Sequence, residues 1–206
     1  MDALPSFDPG IEISAFSQGM SKGLRQSDGV QILVRPELAI GSLVLDAYYK
    51  NITSPTADGE AAVRLGLRHR LAGFDLAMSA AYRWNTHARL QADRDALEFS
   101  ASASRRFGRI TPHVSLVYSP DDLGVTRASL YAEAGVAASL YRGLSLSANA
   151  ERRERDGGPD YVAFNAGATY TLTRNLSADL RYYDTAQSRL GAIYRPRLVA
   201  SLKLHF

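Results

Sequence analysis

Leu97-Glu98-Phe99-Ser100-Ala101-Ser102-Ala103-Ser104 alternates without a break, apolar at each odd position and polar at each even one. A period of two places successive side chains on opposite faces of an extended strand, so one face meets an apolar environment and the other a wet one. Leu144-Ser145-Leu146-Ser147-Ala148-Asn149-Ala150-Glu151 repeats the pattern, as does Leu176-Ser177-Ala178-Asp179-Leu180-Arg181-Tyr182. The chain closes on Leu198, Ala200, Leu202, Leu204 and Phe206 at alternate positions. None of these stretches has the three- and four-residue apolar spacing of a helix, and the chain reads as all-β.

Working outward, the alternation predicts strands over about 10–23, 29–40, 43–53, 60–71, 74–85, 94–106, 109–119, 126–140, 144–154, 161–173, 176–187 and 193–206. The connections differ in kind. Ile40-Gly41-Ser42, Leu71-Ala72-Gly73, Phe107-Gly108-Arg109, Tyr141-Arg142-Gly143 and Thr173-Arg174-Asn175 are tight turns. Between them lie longer polar links: Arg25 to Asp28, Ser54 to Gly59, Thr86 to Asp93, Pro120 to Val125, Arg155 to Asp160 and Ser188 to Ala192. Short turns at one end and longer loops at the other describe a transmembrane antiparallel β-barrel of about 12 strands. Its even strand number sends both termini to the short-turn side, the periplasm. The expected organisation is a periplasmic segment over 1–9 followed by a barrel over 10–206.

Alternation alone does not say which face meets water, and a soluble barrel or sandwich is the rival. Three features favour the membrane. Long charged side chains stand in mid-strand on the polar face (Arg35, Glu37, Asp46, Lys50, Arg64, Arg68, Asp179, Arg181). The apolar face is largely Ala and Leu, which would fill a soluble core poorly. Apolar-face aromatics gather toward strand ends: Tyr49, Phe74, Tyr82, Trp84, Tyr118, Tyr170, Tyr182 and Phe206. The mean hydropathy of -0.18 and the lack of a long apolar run exclude a spanning helix but not a barrel. Pro36, Pro112 and Pro196 sit inside predicted strands, where a closed wall has no free edge for a residue without an N–H. The chain has no cysteine, which removes disulfides and thiolate chemistry together. The start, Met1-Asp2-Ala3-Leu4-Pro5-Ser6, has neither a basic nor an apolar leader region and is expected to be a mature terminus with an added Met.

Gly19-Met20-Ser21-Lys22-Gly23-Leu24-Arg25-Gln26-Ser27-Asp28-Gly29 resembles the first-loop signature of the TorF-type family of proteobacterial outer-membrane porins, through Lys22-Gly23 and Gln26-Ser27-Asp28-Gly29. Tyr118-Ser119-Pro120-Asp121 and Leu130-Tyr131-Ala132-Glu133-Ala134-Gly135 are similar to that family's mid-chain segments, whereas Met20-Ser21 stands where an aromatic is expected. The resemblance implies a bacterial outer-membrane location. The terminal Leu202, Leu204, Phe206 resembles the signal by which the barrel-assembly machinery takes its clients.

Carrying the parity around the barrel gives an expected pore lining of Lys22, Arg35, Glu37, Asp46, Lys50, Arg64, Arg68, Asp75, Arg83, Glu98, His113, Glu133, Glu151, Asp179, Arg181, Arg195, Arg197 and Lys203, with Glu12, Arg70 and Arg153 on the same parity. Cations outnumber anions in that set, and a positive water-filled pore favours anions. The expectation is a small, anion-preferring passive channel for small solutes or ions. The alternative is a barrel plugged by its own charges with a structural, binding or docking role, since twelve strands lie between the eight that leave no pore and the larger barrels that enclose a channel. A lipid hydrolase is a weaker reading. His87 lies in a loop with Asp93 and Asp95 nearby and His113 is on the polar face, but nothing pairs either with a serine. Arg155-Asp156-Gly157-Gly158-Pro159-Asp160 lacks the alternating ligands of a calcium loop. No catalytic, cofactor or metal site is expected. Partners are outer-membrane lipid and lipopolysaccharide, with a homo-oligomer left open. The cations are spread rather than clustered with stacking aromatics, so nucleic acid is not expected.

Overall fold

The computed structural model describes residues 7–54, 57–89 and 94–206. Twelve strands form one closed antiparallel wall: β1 (Phe7–Phe16), β4 (Gln31–Ile40), β5 (Leu43–Asn51), β6 (Gly59–Leu71), β7 (Phe74–Thr86), β8 (Asp95–Arg105), β9 (Ile110–Asp122), β10 (Arg127–Ser139), β11 (Leu144–Arg155), β12 (Tyr161–Thr171), β13 (Leu176–Asp184) and β14 (Arg197–His205). Two short strands, β2 (Met20–Ser21) and β3 (Leu24–Arg25), pair only with each other. The wall runs in chain order and is sealed where β14 meets β1, from Glu12–His205 to Phe16–Ser201. Phe206 extends this seam by exchanging backbone hydrogen bonds with Ile11 at 3.0 and 3.1 Å.

The tight turns obey strand twist. Leu71 pairs with Phe74, leaving Ala72 and Gly73 as a two-residue loop with φ of 50° and 81°. Two consecutive positive φ values make the type I′ turn, whose twist matches that of the flanking strands. The prolines fit where ladders lapse. The β4–β5 register runs Leu33–Lys50 and Val34–Tyr49, then skips Arg35 and Pro36 and resumes at Glu37–Asp46, while Pro36 keeps its place opposite Ile11 of β1. The β8–β9 ladder ends at Ser104–His113, one residue short of Pro112, and Pro196 precedes β14.

Some expected boundaries are corrected. The strand expected over 10–23 ends at Phe16, and Lys22 belongs to the β2–β3 hairpin rather than to the wall, because Lys22 and Gly23 both take positive φ (49° and 76°) and reverse the chain. Pairing starts at Phe7, inside the segment expected to precede the barrel; residues 1–6 lie outside the described residues. Tyr194, Arg195 and Pro196, expected in the last strand, fall in a loop with two single-turn 3₁₀ helices, Ser188–Leu190 and Ala192–Tyr194.

The two faces are inverted relative to a water-soluble protein. Leu65, Leu67, Leu116 and Leu180 are 50–55% exposed, whereas Glu60, Asp122 and Arg83 are 1%, 2% and 6% exposed. An apolar band circling the whole molecule far exceeds the few hundred Å² that a soluble monomer leaves uncovered. In hydrocarbon the same band is at home, and closure leaves no unpaired strand edge. Tyr49, Tyr82, Trp84, Tyr118 and Tyr182 lie toward the long-loop ends of their strands, and Phe74, Tyr170 and Phe206 toward the short-turn end. This is the arrangement of two interfacial girdles. Among the described residues no helix is long and apolar enough to cross a membrane.

Leu116→Arg, in the middle of β9 on the outer face, is expected to lower the unfolding free energy in lipid vesicles by about 2–4 kcal/mol. The same substitution at the neighbouring inward Ser115 should cost far less. Equal effects in urea titrations would mean that the outer face is not in lipid.

Candidate functional site

The loop from Ser17 to Val30 carries the hairpin into the barrel from its long-loop end. Lys22-Gly23 forms its tip, and Gln26 and Ser27 donate their N–H groups back to the Gly19 carbonyl at 2.8 and 3.2 Å. The tip is seated by apolar contact and by charge. Leu24 packs in a buried cluster with Tyr161, Ala163 and Tyr194. The Tyr161 hydroxyl donates to the Lys22 carbonyl, and Arg155 lies 5.0 Å over the Tyr161 ring while donating to the Tyr194 hydroxyl at 2.7 Å. Gly23 has no side chain because a Cβ there would come within 2.5 Å of the Ala163 Cβ and 2.7 Å of Glu151 Oε2.

Around the tip lies a buried ion network. Lys22 Nζ reaches Glu98 Oε2 at 2.8 Å and Asp122 Oδ2 at 3.2 Å. Arg83 bridges three carboxylates: Glu98 at 2.6 Å, Asp122 at 2.9 Å and Glu60 at 3.0 Å. Glu60 also meets Lys50 at 3.4 Å and accepts from the Tyr48 hydroxyl at 2.5 Å and from Gln26 Nε2 at 2.7 Å. Asp122 accepts from Arg153 at 2.7 Å and from the Ser129 hydroxyl at 3.0 Å. Charges this far from water persist only when paired and hydrogen-bonded. Seven consecutive wall strands, β5 to β11, and the hairpin are thereby tied to a single cluster.

Two polar cavities flank the tip. A vestibule of about 180 Å³ on the long-loop side is lined by Gln26, Glu60, Arg83, Asp122 and Arg153, and a chamber of about 220 Å³ by Tyr131, Glu133, Asn149, Glu151, Arg181 and Tyr183. Ser21 and Lys22 line both.

The residues expected to line the pore divide into groups. Asp46, Lys50, Arg83 and Glu151 are buried inside the barrel, with Lys22 and Glu98 in the ion network. Arg64 approaches Asp46 at 4.0 Å, Arg68 holds Glu37 through two bonds of 2.8 Å, and Arg181 contacts Asp179 at 3.2 Å. His113 lies 3.4 Å from Glu133, and Lys203 lies 3.6 Å from Glu12. Arg35 stacks 5.9 Å from the Tyr48 ring, and Arg197 donates to Gln18 and the Ala192 carbonyl. Asp75 pairs with Arg70 at the exposed short-turn rim, and Arg195 is exposed in the last loop; neither stands on the inner wall at mid-barrel. His87 is exposed in its loop, and Asp93, its expected neighbour, lies outside the described residues.

Two central carboxylates escaped the sequence reading. Glu60 shares the parity of Arg64 and Arg68, and that signal was available. Asp122 was hidden by a register shift: Ser119 is buried, Asp121 is exposed and Asp122 is buried again, so strict alternation fails where β9 is irregular against β8 and β10.

No family model and no curated protein sequence matches the chain. Solved structures do share its fold. The KdgM porin superposes with a TM-score of 0.65 at 10% identity, covering 96% of this chain and 99% of that one. The NanC porin gives 0.67 at 5% identity over 95% and 98%, and the COG4313 outer membrane channel from Pseudomonas putida F1 gives 0.54 at 11% over 98% and 95%. The chain has the closed barrel fold of outer-membrane porins and channels.

Arg83→Ala should leave Glu60, Glu98 and Asp122 without their shared cation and destabilise the barrel by about 3–5 kcal/mol. Urea unfolding followed by tyrosine and tryptophan fluorescence measures it. A loss under about 1 kcal/mol, typical of an exposed pair, would contradict the buried network.

Proposed function

We propose that the protein is a small passive diffusion channel of the bacterial outer membrane, anion-preferring and narrowed by the β2–β3 hairpin. One observation supports this reading: two cavities rich in charged and polar side chains lie inside the barrel on either side of Ser21 and Lys22, so the tip of the hairpin stands between them as the constriction. The long loops face the exterior, the termini the periplasm, and lipid and lipopolysaccharide contact the apolar belt. Phe206, at the open end of the seam, is the handle for the barrel-assembly machinery.

Anion preference is supported by the balance at the constriction, where Lys22, Lys50, Arg83 and Arg153 face Glu60, Glu98 and Asp122. Four cations against three carboxylates leave one positive charge in excess. Arg35 and Arg197 add charge with no ion-pair partner among the described residues. A positive lumen repels cations along its length. A barrel of the same fold, the KdgM porin, was solved in complex with disordered oligogalacturonate, an anionic sugar chain.

The buried network also favours a second reading, in which the hairpin is a plug and the barrel serves to dock or bind. Single-channel recording of the refolded protein in planar bilayers separates the two. A channel gives small steady currents whose reversal potential in a salt gradient favours chloride, and Arg64→Glu with Arg68→Glu shifts that potential toward cations. Lys22→Ala and Gly23→Val, which unseat the tip, should enlarge the conductance. A silent parent with conducting variants would make the hairpin a plug, and silence from all three would end the channel reading.

A further inference from the structure

Glu133 on β10 and Glu151 on β11 stand directly opposite each other in the ladder. Like charges at such a cross-strand pair repel, so a compensating group is needed. Among the described residues Glu133 has only His113 Nε2 as an ion-pair partner, at 3.4 Å, and Glu151 has none. Arg181, which lines the same chamber, is engaged elsewhere: its guanidinium donates to Asn165 Oδ1 at 2.7 Å, Ser147 Oγ at 2.8 Å and Asp179 at 3.2 Å.

The chamber has acceptors to spare. Glu151 is only 4% exposed, yet its Oε2 has no hydrogen-bond partner, and neither has Asn149 Oδ1. Glu151 Oε1 already accepts from the Asn165 amide, and Glu133 Oε2 from the Tyr131 hydroxyl at 2.9 Å. A buried acceptor left unmet costs stability, and one on a charged group costs more. A ligand that brought N–H donors and positive charge together would meet both the unmet acceptors and the opposed carboxylates. A primary ammonium has three donors and no acceptor, and Tyr131 and Tyr183 supply aromatic walls of the kind that attract organic cations. No group of three metal-ligating side chains is present among the described residues, so the donor set is not that of a coordinated metal.

We propose that the chamber beneath the hairpin binds a small organic cation through its primary ammonium group, held by Glu151 and Glu133. The opposite wall, on β4 and β6, carries Arg35 and Arg64. The ammonium end of a ligand is therefore directed to the β10–β11 side, and the cation that enters does so against the general charge of the lumen.

Calorimetric titration of the refolded full chain in detergent micelles with n-butylammonium tests this, and it reads binding whether or not the barrel conducts. Saturable binding to the parent is expected. Affinity should fall about tenfold or more in Glu151→Gln and in Glu133→Gln, the loss that accompanies neutralising a charged acceptor. It should persist in Asp75→Asn, whose pair lies at the exposed rim. Heat-modifiable gel mobility confirms that each variant is folded. The absence of saturable heat from the parent, or an unchanged affinity in both glutamine variants, would overturn the proposal. Displacement of n-butylammonium by equal potassium would overturn the ammonium assignment, because the site would then read charge alone.

Discussion

The structure depends on a carboxylate trio held by one guanidinium. Arg83, on β7, touches Glu60, Glu98 and Asp122, which come from β6, β8 and β9. Without it Glu60 would keep Lys50, and Glu98 and Asp122 would keep Lys22 and Arg153, but no single cation would join all three carboxylates in a space with little water. Their convergence gives Lys22 its destination, since its ammonium joins the same cluster at Glu98 and Asp122. The position of the hairpin, and with it the division of the lumen into vestibule and chamber, follows from a wall charge that is itself fixed by strand register.

The segments that resembled a family signature are the ones that build this assembly. Lys22-Gly23 is the hairpin tip, Ser119 lies at the register shift that precedes Asp122, and Tyr131 and Glu133 line the chamber. Their spacing along the chain looks arbitrary until the barrel closes and brings them to one side of one opening. The physical reason for Lys22-Gly23 is local: a two-residue reversal with both φ positive, and a tip narrow enough to pass Ala163 and Glu151.

Much of the wall was legible because period two is enforced by two solvents. Leu97 to Ser104 can have its apolar set on only one face, and a slip of one residue would exchange lipid for lumen. What escaped was whatever departs from that rule. The hairpin has too few residues to show a period, and the strand pattern before it runs on past Phe16 as though Lys22 continued the wall. Asp122 follows an irregularity that reverses parity, so an alternating count assigns it to a loop. The pairing of charges, Arg68 with Glu37 but Arg70 with Asp75, depends on register between strands rather than on position within one. The opposed Glu133 and Glu151 became visible only with the β10–β11 ladder.

The seam between β1 and β14 has a consequence for the order of assembly. Every other ladder in the wall joins consecutive wall strands, and short connections close at low entropic cost. The seam joins residues from opposite ends of the chain through five register pairs, Glu12–His205 to Phe16–Ser201, so it is the contact that chain topology delays the most. The hairpin departs from the last residue of β1, one of the two seam strands. The segment that enters the lumen is therefore tethered beside the contact that closes the wall.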